Sequence, residues 1–355
     1  MSESLEDLRS QITEISLELV RLLNERAAIA LKIGAAKRKQ GHSNLYDPIR
    51  EAKLLKQLLE ASEGPLADDA LAHLFKEVFK TSLALQVEDA HKQLLVESKR
   101  ATAVHIGPVS FGEAPVIIAG PCAIETEEQI TEIFAFLSGL DVQIVRAGAF
   151  KPRTSPYDFQ GLGIDGLKMA SRIAKQYGLL LVSEIMDADS LEEALPYLDA
   201  VQIGARNMQN FSLLKAAGAI NKPIILKRGL SATIEEFTLA AEYIVASGND
   251  QVILCERGIR TFETATRNTL DISAVAILKE RLELPIIVDV SHAAGRKDIL
   301  LPLAKAGIAV GGDGIMIETH PQPSIALSDA QQQLNMTEFA SFYRELKKFI
   351  NEVKK

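Results

Sequence analysis

The chain has 355 residues, of which 47% are hydrophobic and 24% charged, and a formal net charge of -8. This composition excludes extensive disorder and fibrous repeats and fits one large domain plus a small one. The acidic balance argues against nucleic-acid binding by the whole chain, although a local basic pocket could bind an anionic metabolite. The first residues do not have the basic region and apolar core of a signal peptide, and no apolar run is long enough to span a membrane. We therefore predict a cytoplasmic protein with no membrane partner. With only two cysteines, no disulfide framework is expected.

Residues 1–92 have the pattern of an all-α domain of three helices. Leu5, Leu8, Ile12, Ile15, Leu19 and Leu22 follow one another at spacings of three and four, which places them on one helix face. Gly41 and the turn before Pro48 end this helix, a second runs to about Ala61, and a third follows Gly64-Pro65. Three helices cannot bury these stripes alone. We therefore expect helix pairing in a homodimer, or docking on the rest of the chain.

A polar linker at 93–102 leads into residues 103–355, where short β-branched runs alternate with amphipathic helices. We predict strands at Val116–Ala119, Gln143–Arg146, Leu180–Glu184, Ala200–Gly204, Pro223–Lys227, Val252–Glu256, Ile286–Val290 and Gly314–Glu318. Capping boxes at Thr126, Ser190 and Thr233 mark three helix starts. Eight such units indicate an α/β fold, the (β/α)8 TIM barrel, with a hairpin at Val104–Phe111 closing its floor. An open doubly wound sheet is the alternative, but no Gly-x-Gly-x-x-Gly turn follows the first strand.

Cationic side chains cluster where these strands end, which is where such a barrel has its active site. They are Arg146, Lys151, Arg153, Arg206, Lys227 and Arg257. So many cations at one barrel mouth repel one another unless anions lie between them. Arginine binds phosphate bidentately, and lysine suits a carboxylate or a developing oxyanion. The pattern predicts substrates with several phosphates or carboxylates.

A second group at the strand ends has the chemistry of a metal site. Cys122 follows strand one, His292 follows strand seven, and Glu318 and Asp329 come from strand eight and its loop. A thiolate, an imidazole and two carboxylates suit a divalent transition ion, which could polarise an aldehyde oxygen. Cys122 alone could be a core residue and Asp329 only a helix cap. We interpret Cys255 as core, His320 as supporting or exposed, and Glu184 and Asp289 as ion-pair or proton-transfer residues.

Six motifs give this chain a family resemblance. They are GPCA at 120–123, KPRTS at 151–155, QIGARNMQN at 202–210, LKRG at 226–229, DVSHA at 289–293 and DGIMIE at 313–318. With them the chain resembles the type I beta 3-deoxy-D-arabino-heptulosonate 7-phosphate (DAHP) synthases. The resemblance implies condensation of phosphoenolpyruvate with erythrose 4-phosphate, the first step of the shikimate pathway. It also implies one divalent metal ion on Cys122, His292, Glu318 and Asp329, with Mn²⁺ favoured and Fe²⁺, Co²⁺, Zn²⁺ or Cd²⁺ possible.

The same resemblance assigns the substrate-binding residues. It implies that Arg206 and Arg257 bind the phosphate of phosphoenolpyruvate, that Arg146 and Lys227 bind its carboxylate, and that Lys151 lies nearby. Arg153, Thr154 and Ser155 would hold the phosphate of erythrose 4-phosphate. The related octulosonate 8-phosphate synthase, which uses arabinose 5-phosphate, is the alternative; the KPRTS motif and Cys122 favour erythrose 4-phosphate.

The N-terminal helices resemble the helical type of chorismate mutase. The positions that carry this likeness are Arg9, Arg26, Lys37, Asp47, Arg50, Glu51, Ser82 and Gln86. The likeness implies an intertwined dimer in which Arg9 reaches the partner's site, within a homodimer or homotetramer. The domain would convert chorismate to prephenate, sense either as a feedback inhibitor, or both. Without the likeness, Arg26 and Lys37 could instead extend to the surface or pair with acids such as Glu51. A barrel that only scaffolds the mutase module is the third hypothesis.

Overall fold

The computed structural model describes residues 4–40, 45–92, 94–98, 103–151, 155 and 157–353. The chain divides into two compact units, Met1–Leu94 and Leu95–Lys355, which we call the helical unit and the barrel unit. Among the described residues, no helix has the length and apolar character needed to span a bilayer.

The described part of the helical unit contains three helices, as predicted: α1 (Leu5–Lys39), α2 (Pro48–Glu60) and α3 (Asp68–Lys92). Ser4 and Asp7 form a capping box at the start of α1. The Asp47 side chain caps α2 by accepting from the Arg50 amide, and Pro48 has the first helical position, where its missing N–H costs nothing. The predicted turn at 41–44 lies outside the described residues.

Packing within the helical unit joins α1 to α3. Gly34 makes this contact close, because a Cβ there would lie 3.1 Å from Cγ of Gln86. Phe79 of α3 is buried, as is Ala30 of α1. Two residues of the predicted apolar stripe of α1 have exposed side chains: Ile12 is 66% exposed and Ile15 is 62% exposed.

Within the described residues of the barrel unit, eight parallel strands follow one another around a closed barrel in chain order, and the last strand pairs with the first. The strands are β3 (Val116–Gly120), β4 (Ile144–Arg146), β5 (Leu180–Ile185), β6 (Ala200–Ile203), β7 (Ile224–Lys227), β8 (Val252–Glu256), β9 (Ile286–Asp289) and β10 (Gly314–Glu318). The helices are α4 (Glu127–Gly139), α5 (Gly163–Gln176), α6 (Ala188–Ala194), α7 (Phe211–Gly218), α8 (Ile234–Ala246), α9 (Ile272–Arg281), α10 (Val290–Ala294), α11 (Leu300–Ala309) and α12 (Met336–Val353). The predicted fold class is confirmed, and each predicted strand ends within a residue of the observed one.

The helix caps show where the local sequence signals were sufficient. Thr233 forms the predicted capping box with Glu236 at the start of α8. At Ser190 the prediction was wrong, because α6 already begins at Ala188 and the Asp187 side chain accepts from the Ser190 amide. The upstream aspartate is the better cap for this turn, and Ser190 lies inside the helix.

The floor of the barrel is an apolar plug, as predicted for Val104–Phe111. Strands β1 (His105–Ile106) and β2 (Val109–Ser110) pair antiparallel as a hairpin. Ile106 is fully buried and belongs, with Val104 and Phe111, to the cluster that includes Cys255 of β8. The interpretation of Cys255 as core is therefore confirmed. The part of the predicted linker that the structure describes includes a short turn, Leu95–Glu97, whose first two amides donate to the Glu242 carboxylate at 3.1 and 3.0 Å.

Candidate active site

Four side chains at the carboxyl ends of the strands form a potential site for one metal ion. We call these four residues the metal cluster. Cys122 follows β3, His292 lies in α10 after β9, Glu318 ends β10, and Asp329 lies in the following loop. One ligand atom from each lies within 4.8 Å of all the others. Asp329 does not cap a helix; its φ of 52° puts it in the left-handed region, which aspartate tolerates better than most residues.

Neighbouring polar groups orient these side chains. Nδ1 of His292 lies 2.8 Å from Oδ2 of Asp289, which turns Nε2 towards the cluster, 3.5 Å from a Glu318 oxygen and 3.6 Å from an Asp329 oxygen. The Gln332 amide donates to Glu318 at 2.5 Å and to Asp329 at 3.2 Å. Carboxylate and amide partners of this kind fix ligand orientation in metal sites. The donor set and its supports therefore fit a divalent ion.

The Cys122 thiol lies in a buried environment with polar neighbours. Sγ is fully buried, 3.0 Å from Nζ of Lys151 and 3.1 Å from Oγ of Ser328. Burial, together with the Glu318 carboxylate, raises the pKa of this thiol to about 12. A coordinated metal ion favours the deprotonated thiol. Without one, the thiol is protonated at neutral pH.

A pocket of about 180 Å³ lies beside this cluster, and its lining is rich in lysine and arginine side chains. The lining includes Lys151, Arg206, Lys227, Arg257, Arg260 and Arg267. The Arg257 guanidinium donates to the carbonyls of Gly258 and His292 at 3.2 and 3.3 Å, so its hydrogen-bond partners among the described residues are neutral. Burial lowers the pKa of Arg257, although the nearby Asp289 carboxylate acts in the opposite direction. The pocket is therefore suited to anions.

The structure brings four of the predicted substrate-binding residues, Lys151, Arg206, Lys227 and Arg257, to this pocket. Arg146 lies differently: it is 4% exposed, and its guanidinium pairs with Glu318. It also reaches the Cys122 carbonyl oxygen at 3.4 Å, the same atom that Lys151 contacts at 3.0 Å. Arg153 and Thr154 lie outside the described residues. The Ser155 hydroxyl accepts from the Tyr157 amide at 3.2 Å.

Several site residues were not identified from the sequence. Arg267 pairs with Asp329 at 3.1 Å and donates to Gln332 at 2.9 Å, so it connects the pocket to the metal cluster. Arg260 lines the pocket from the loop after β8. These residues lie in a loop without hydrophobic periodicity. Only their position after the end of a strand could have indicated a role in the site.

The structure also distinguishes the two cations of the LKRG motif. Arg228 is 3% exposed and binds Glu256 and Asp271, each at 2.9 Å. Burial raises the pKa of Glu256 despite this pairing. Lys227 also has an acidic partner, Asp289 at 2.5 Å, but it lines the pocket, which Arg228 does not. We therefore interpret Arg228 as a structural residue.

The remaining sequence candidates have specific partners. Glu184 lines the pocket and accepts from the Gln202 amide at 3.1 Å. Asp289 pairs with Lys227 at 2.5 Å, so it has the ion-pair role that was one of its two interpretations. His320 is buried, and its Nε2 lies 3.5 Å from a Glu125 oxygen.

In the helical unit, several of the predicted ligand-binding residues are close together. Arg26 donates to the buried Ser82 hydroxyl at 2.5 Å, and Gln86 donates to the Ala30 carbonyl at 2.9 Å. Lys37 donates to the Leu45 carbonyl at 2.7 Å.

The other predicted residues of this site are more exposed. Asp47 and Arg50 lie at the start of α2, where both are exposed, and Glu51 is half-buried. Arg9 is exposed near the start of α1, seventeen residues before Arg26, which is about 25 Å along an α-helix. The structure therefore does not bring Arg9 to Arg26 within one chain.

A closed parallel barrel with a metal cluster and an anion pocket at the carboxyl ends of its strands defines a class: barrel enzymes that act on anionic metabolites with a bound metal ion. Comparison with known sequences narrows this class. The chain belongs to the DAHP synthetase I family, whose sequence model matches residues 94–355. The model of chorismate mutase type II matches residues 8–87. The chain thus combines a DAHP synthase domain with a chorismate mutase domain.

Individual relatives agree with this assignment. A phospho-2-dehydro-3-deoxyheptonate aldolase of Thermotoga maritima is 54% identical over 248 residues, which cover 70% of this chain and 73% of the relative. A 2-dehydro-3-deoxyphosphooctonate aldolase of Syntrophotalea carbinolica is 31% identical over 261 residues, covering 68% and 93%. A crystal structure of the Thermotoga maritima DAHP synthase aligns with a TM-score of 0.69 at 52% identity, covering 71% of this chain and 74% of that one. The heptonate enzyme is clearly more similar than the octonate enzyme.

Proposed function

We propose that the barrel unit condenses phosphoenolpyruvate with D-erythrose 4-phosphate and water to give DAHP and inorganic phosphate. The observation that carries this proposal is the direct connection of the cationic pocket to the metal cluster, through Lys227, Asp289 and His292. The identity of 54% to a heptonate aldolase supports erythrose 4-phosphate as the aldose, against 31% to an octonate aldolase.

The pocket residues would act by orientation and charge stabilisation. Arg206 and Arg257 would bind the phosphate of phosphoenolpyruvate, and Lys227 and Arg146 would bind its carboxylate, with Lys151 nearby. This holds the methylene carbon towards the aldehyde carbon, where the new C–C bond forms. Water then adds at C2, and the C2–O bond breaks as phosphate leaves. The guanidinium groups stabilise the charge that collects on the departing phosphate.

The metal ion would be held by Cys122, His292, Glu318 and Asp329. When bound, it would polarise the aldehyde oxygen of the aldose. Mn²⁺ is our first choice, and Fe²⁺, Co²⁺, Zn²⁺ or Cd²⁺ also suit a mixed thiolate, imidazole and carboxylate set. Arg153, Thr154 and Ser155 would hold the aldose phosphate.

The test is phosphoenolpyruvate consumption by purified, Mn²⁺-loaded protein with erythrose 4-phosphate, with arabinose 5-phosphate, and after chelation. Turnover confined to the metal-loaded erythrose 4-phosphate sample is expected. Turnover with arabinose 5-phosphate instead would assign the octulosonate reaction, and no turnover with either aldose would favour a barrel that only scaffolds the mutase module.

For the helical unit we propose binding of chorismate and prephenate, in an intertwined homodimer or a tetramer built from it. The supporting observation is that the partly buried Arg26 and Lys37 donate to neutral partners, a hydroxyl and a carbonyl, which leave their charges for an anionic ligand. Arg9 would come from the partner chain. The site would rearrange chorismate to prephenate, report their concentration to the barrel as feedback inhibition, or do both.

Arg26→Ala in the full-length chain tests this second proposal, with Lys53→Ala on the exposed part of α2 as the control. Loss of both chorismate conversion and inhibition by prephenate is expected for Arg26→Ala alone. Retention of both would contradict the proposed ligand site. If the unmodified protein has no mutase activity and Arg26→Ala loses only the inhibition by prephenate, the domain is a sensor.

A further inference from the structure

One buried carboxylate oxygen joins the metal cluster to the substrate pocket. Asp289, the last residue of β9, has no solvent exposure. Its Oδ2 lies 2.5 Å from Nζ of Lys227 and 2.8 Å from Nδ1 of His292. Its Oδ1 accepts from the His292 amide at 3.0 Å, which fixes the carboxylate against the start of α10. A lysine of the pocket and a histidine of the metal cluster therefore share one acceptor atom.

Two donors on one oxygen compete for its charge. A cation on Nε2 of His292 makes the Nδ1 proton more acidic, so its hydrogen bond to Oδ2 strengthens. The bond from Lys227 to the same oxygen then weakens, and the ammonium group becomes available to an anion in the pocket. In the reverse direction, an anion that draws Lys227 away leaves Oδ2 to hold His292 more firmly, which favours the metal.

Both donors lie within hydrogen-bond distance of the same atom, so the exchange needs only a small movement of the Lys227 ammonium group. It requires no change in the protonation of Asp289.

We propose that Asp289 is a positioning residue that couples metal binding at His292 to phosphoenolpyruvate binding at Lys227 through their shared oxygen. The inference rests on the proposed function, because it takes phosphoenolpyruvate as the anion. Thermodynamic reciprocity requires that each ligand raise the affinity of the other by the same factor.

Direct attraction between a metal cation and an anionic substrate would also produce positive linkage. This attraction acts through space and would survive loss of the Asp289 charge, whereas coupling through Oδ2 would not. Asp289→Asn separates the two, because the amide keeps the shape of the side chain but removes the charged acceptor.

The experiment is calorimetric titration of the full-length protein with Mn²⁺ and with phosphoenolpyruvate, each in the absence and presence of the other. For the unmodified protein we expect each ligand to tighten the other about fivefold or more, equally in both directions. In Asp289→Asn this factor should fall to about one, and Mn²⁺ affinity should fall about 10- to 100-fold.

Asp313→Asn is the matched control. Asp313 is also a buried aspartate, pairs with Lys279 at 2.9 Å and accepts from the Ile286 amide at 2.7 Å, but it precedes β10 at the opposite end of the barrel. It should keep the linkage factor of the unmodified protein. If Asp289→Asn does not fold, Asp289→Glu replaces it: the longer side chain keeps the charge but cannot meet both donors in the same geometry, so linkage should again be lost.

Undiminished linkage in the folded Asp289 variant would overturn the inference in favour of through-space attraction. Absence of linkage in the unmodified protein, with both ligands binding singly, would overturn it as well. Failure of the unmodified protein to bind phosphoenolpyruvate at all would instead overturn the proposed function, and the inference with it.

Discussion

The barrel unit and the helical unit differ in how far their apolar side chains are buried. In the barrel, side chains such as Ile106, Ile118 and Ile144 are fully buried against residues of the same unit. In the helical unit, Leu5, Ile12 and Ile15 of α1 are more than 60% exposed in the single chain. The metal cluster and anion pocket are assembled within one chain, whereas α1 presents an apolar face that needs further surface to cover it. The barrel site should therefore depend on its own ligands, and the helical site on association.

Chelation should produce the largest difference between the activities of the two units. Removing the metal ion is expected to lower the condensation rate by at least about a thousandfold, because Lewis-acid stabilisation contributes several kcal/mol. Chorismate conversion in the same sample should continue, since the described residues of its proposed site form no cluster of potential metal ligands. Both activities are measured before chelation, after it, and after Mn²⁺ is restored. Equal loss of the two activities would contradict the separation.

A charged residue on the apolar stripe of α1 tests whether the helical unit depends on association of chains. Ile12→Glu should weaken association of the chain about a hundredfold or more, because each buried carboxylate costs about 3–5 kcal/mol without a partner. Sedimentation velocity over a concentration series measures the change, and chorismate conversion should fall with it. Glu14→Gln, at an exposed polar position of the same helix, is the control. An unaltered association profile in Ile12→Glu would show that this face is not an interface.

A change in the anion pocket should affect the barrel alone. Arg257→Ala is expected to raise the KM for phosphoenolpyruvate about 10- to 100-fold, the usual effect of losing hydrogen bonds from a charged donor. Steady-state kinetics of both activities would measure it. Arg296→Ala removes an arginine that is exposed and paired with Asp298 at 2.7 Å, and it should leave this KM unchanged. A similar KM increase in both variants would indicate a general effect of charge.

The smallest predicted effect is the pH dependence of metal binding. The pKa of the Cys122 thiol is about 12 without metal, so one proton must leave on binding. Burial lowers the pKa of His292, so its imidazole is neutral and does not add a second proton near pH 7–8. Mn²⁺ affinity should therefore increase about tenfold per pH unit in this range. Cys122→Ser should bind more weakly and lose this slope; an equal slope in both proteins would exclude the thiol as the source of the proton.

The sequence predicted the fold well because the strands are signalled locally. In the run Val252–Glu256 every residue before Glu256 is apolar. The apolar run predicts the strand, and the charged last residue predicts which end of it carries function. The contacts between loops could not be predicted in the same way. Gln332 holds Glu318 and Asp329, and nothing in its local pattern distinguishes it from neighbouring Gln331. Arg146 ends β4 and Glu318 ends β10, the two strands on either side of β3 in the closed barrel, so their pairing depends on barrel closure and the motifs predicted the residue but not its partner.

The spacing of the metal ligands has a consequence for biosynthesis. Cys122 and Asp329, whose side-chain atoms lie 3.4 Å apart, are separated by 207 residues. A ribosome adding about 5–20 residues per second needs roughly 10–40 s to synthesise that stretch. During this interval the helical unit has already been made, while the full ligand set does not yet exist. The α1 stripe can therefore meet a second nascent chain well before the barrel is able to capture its metal ion.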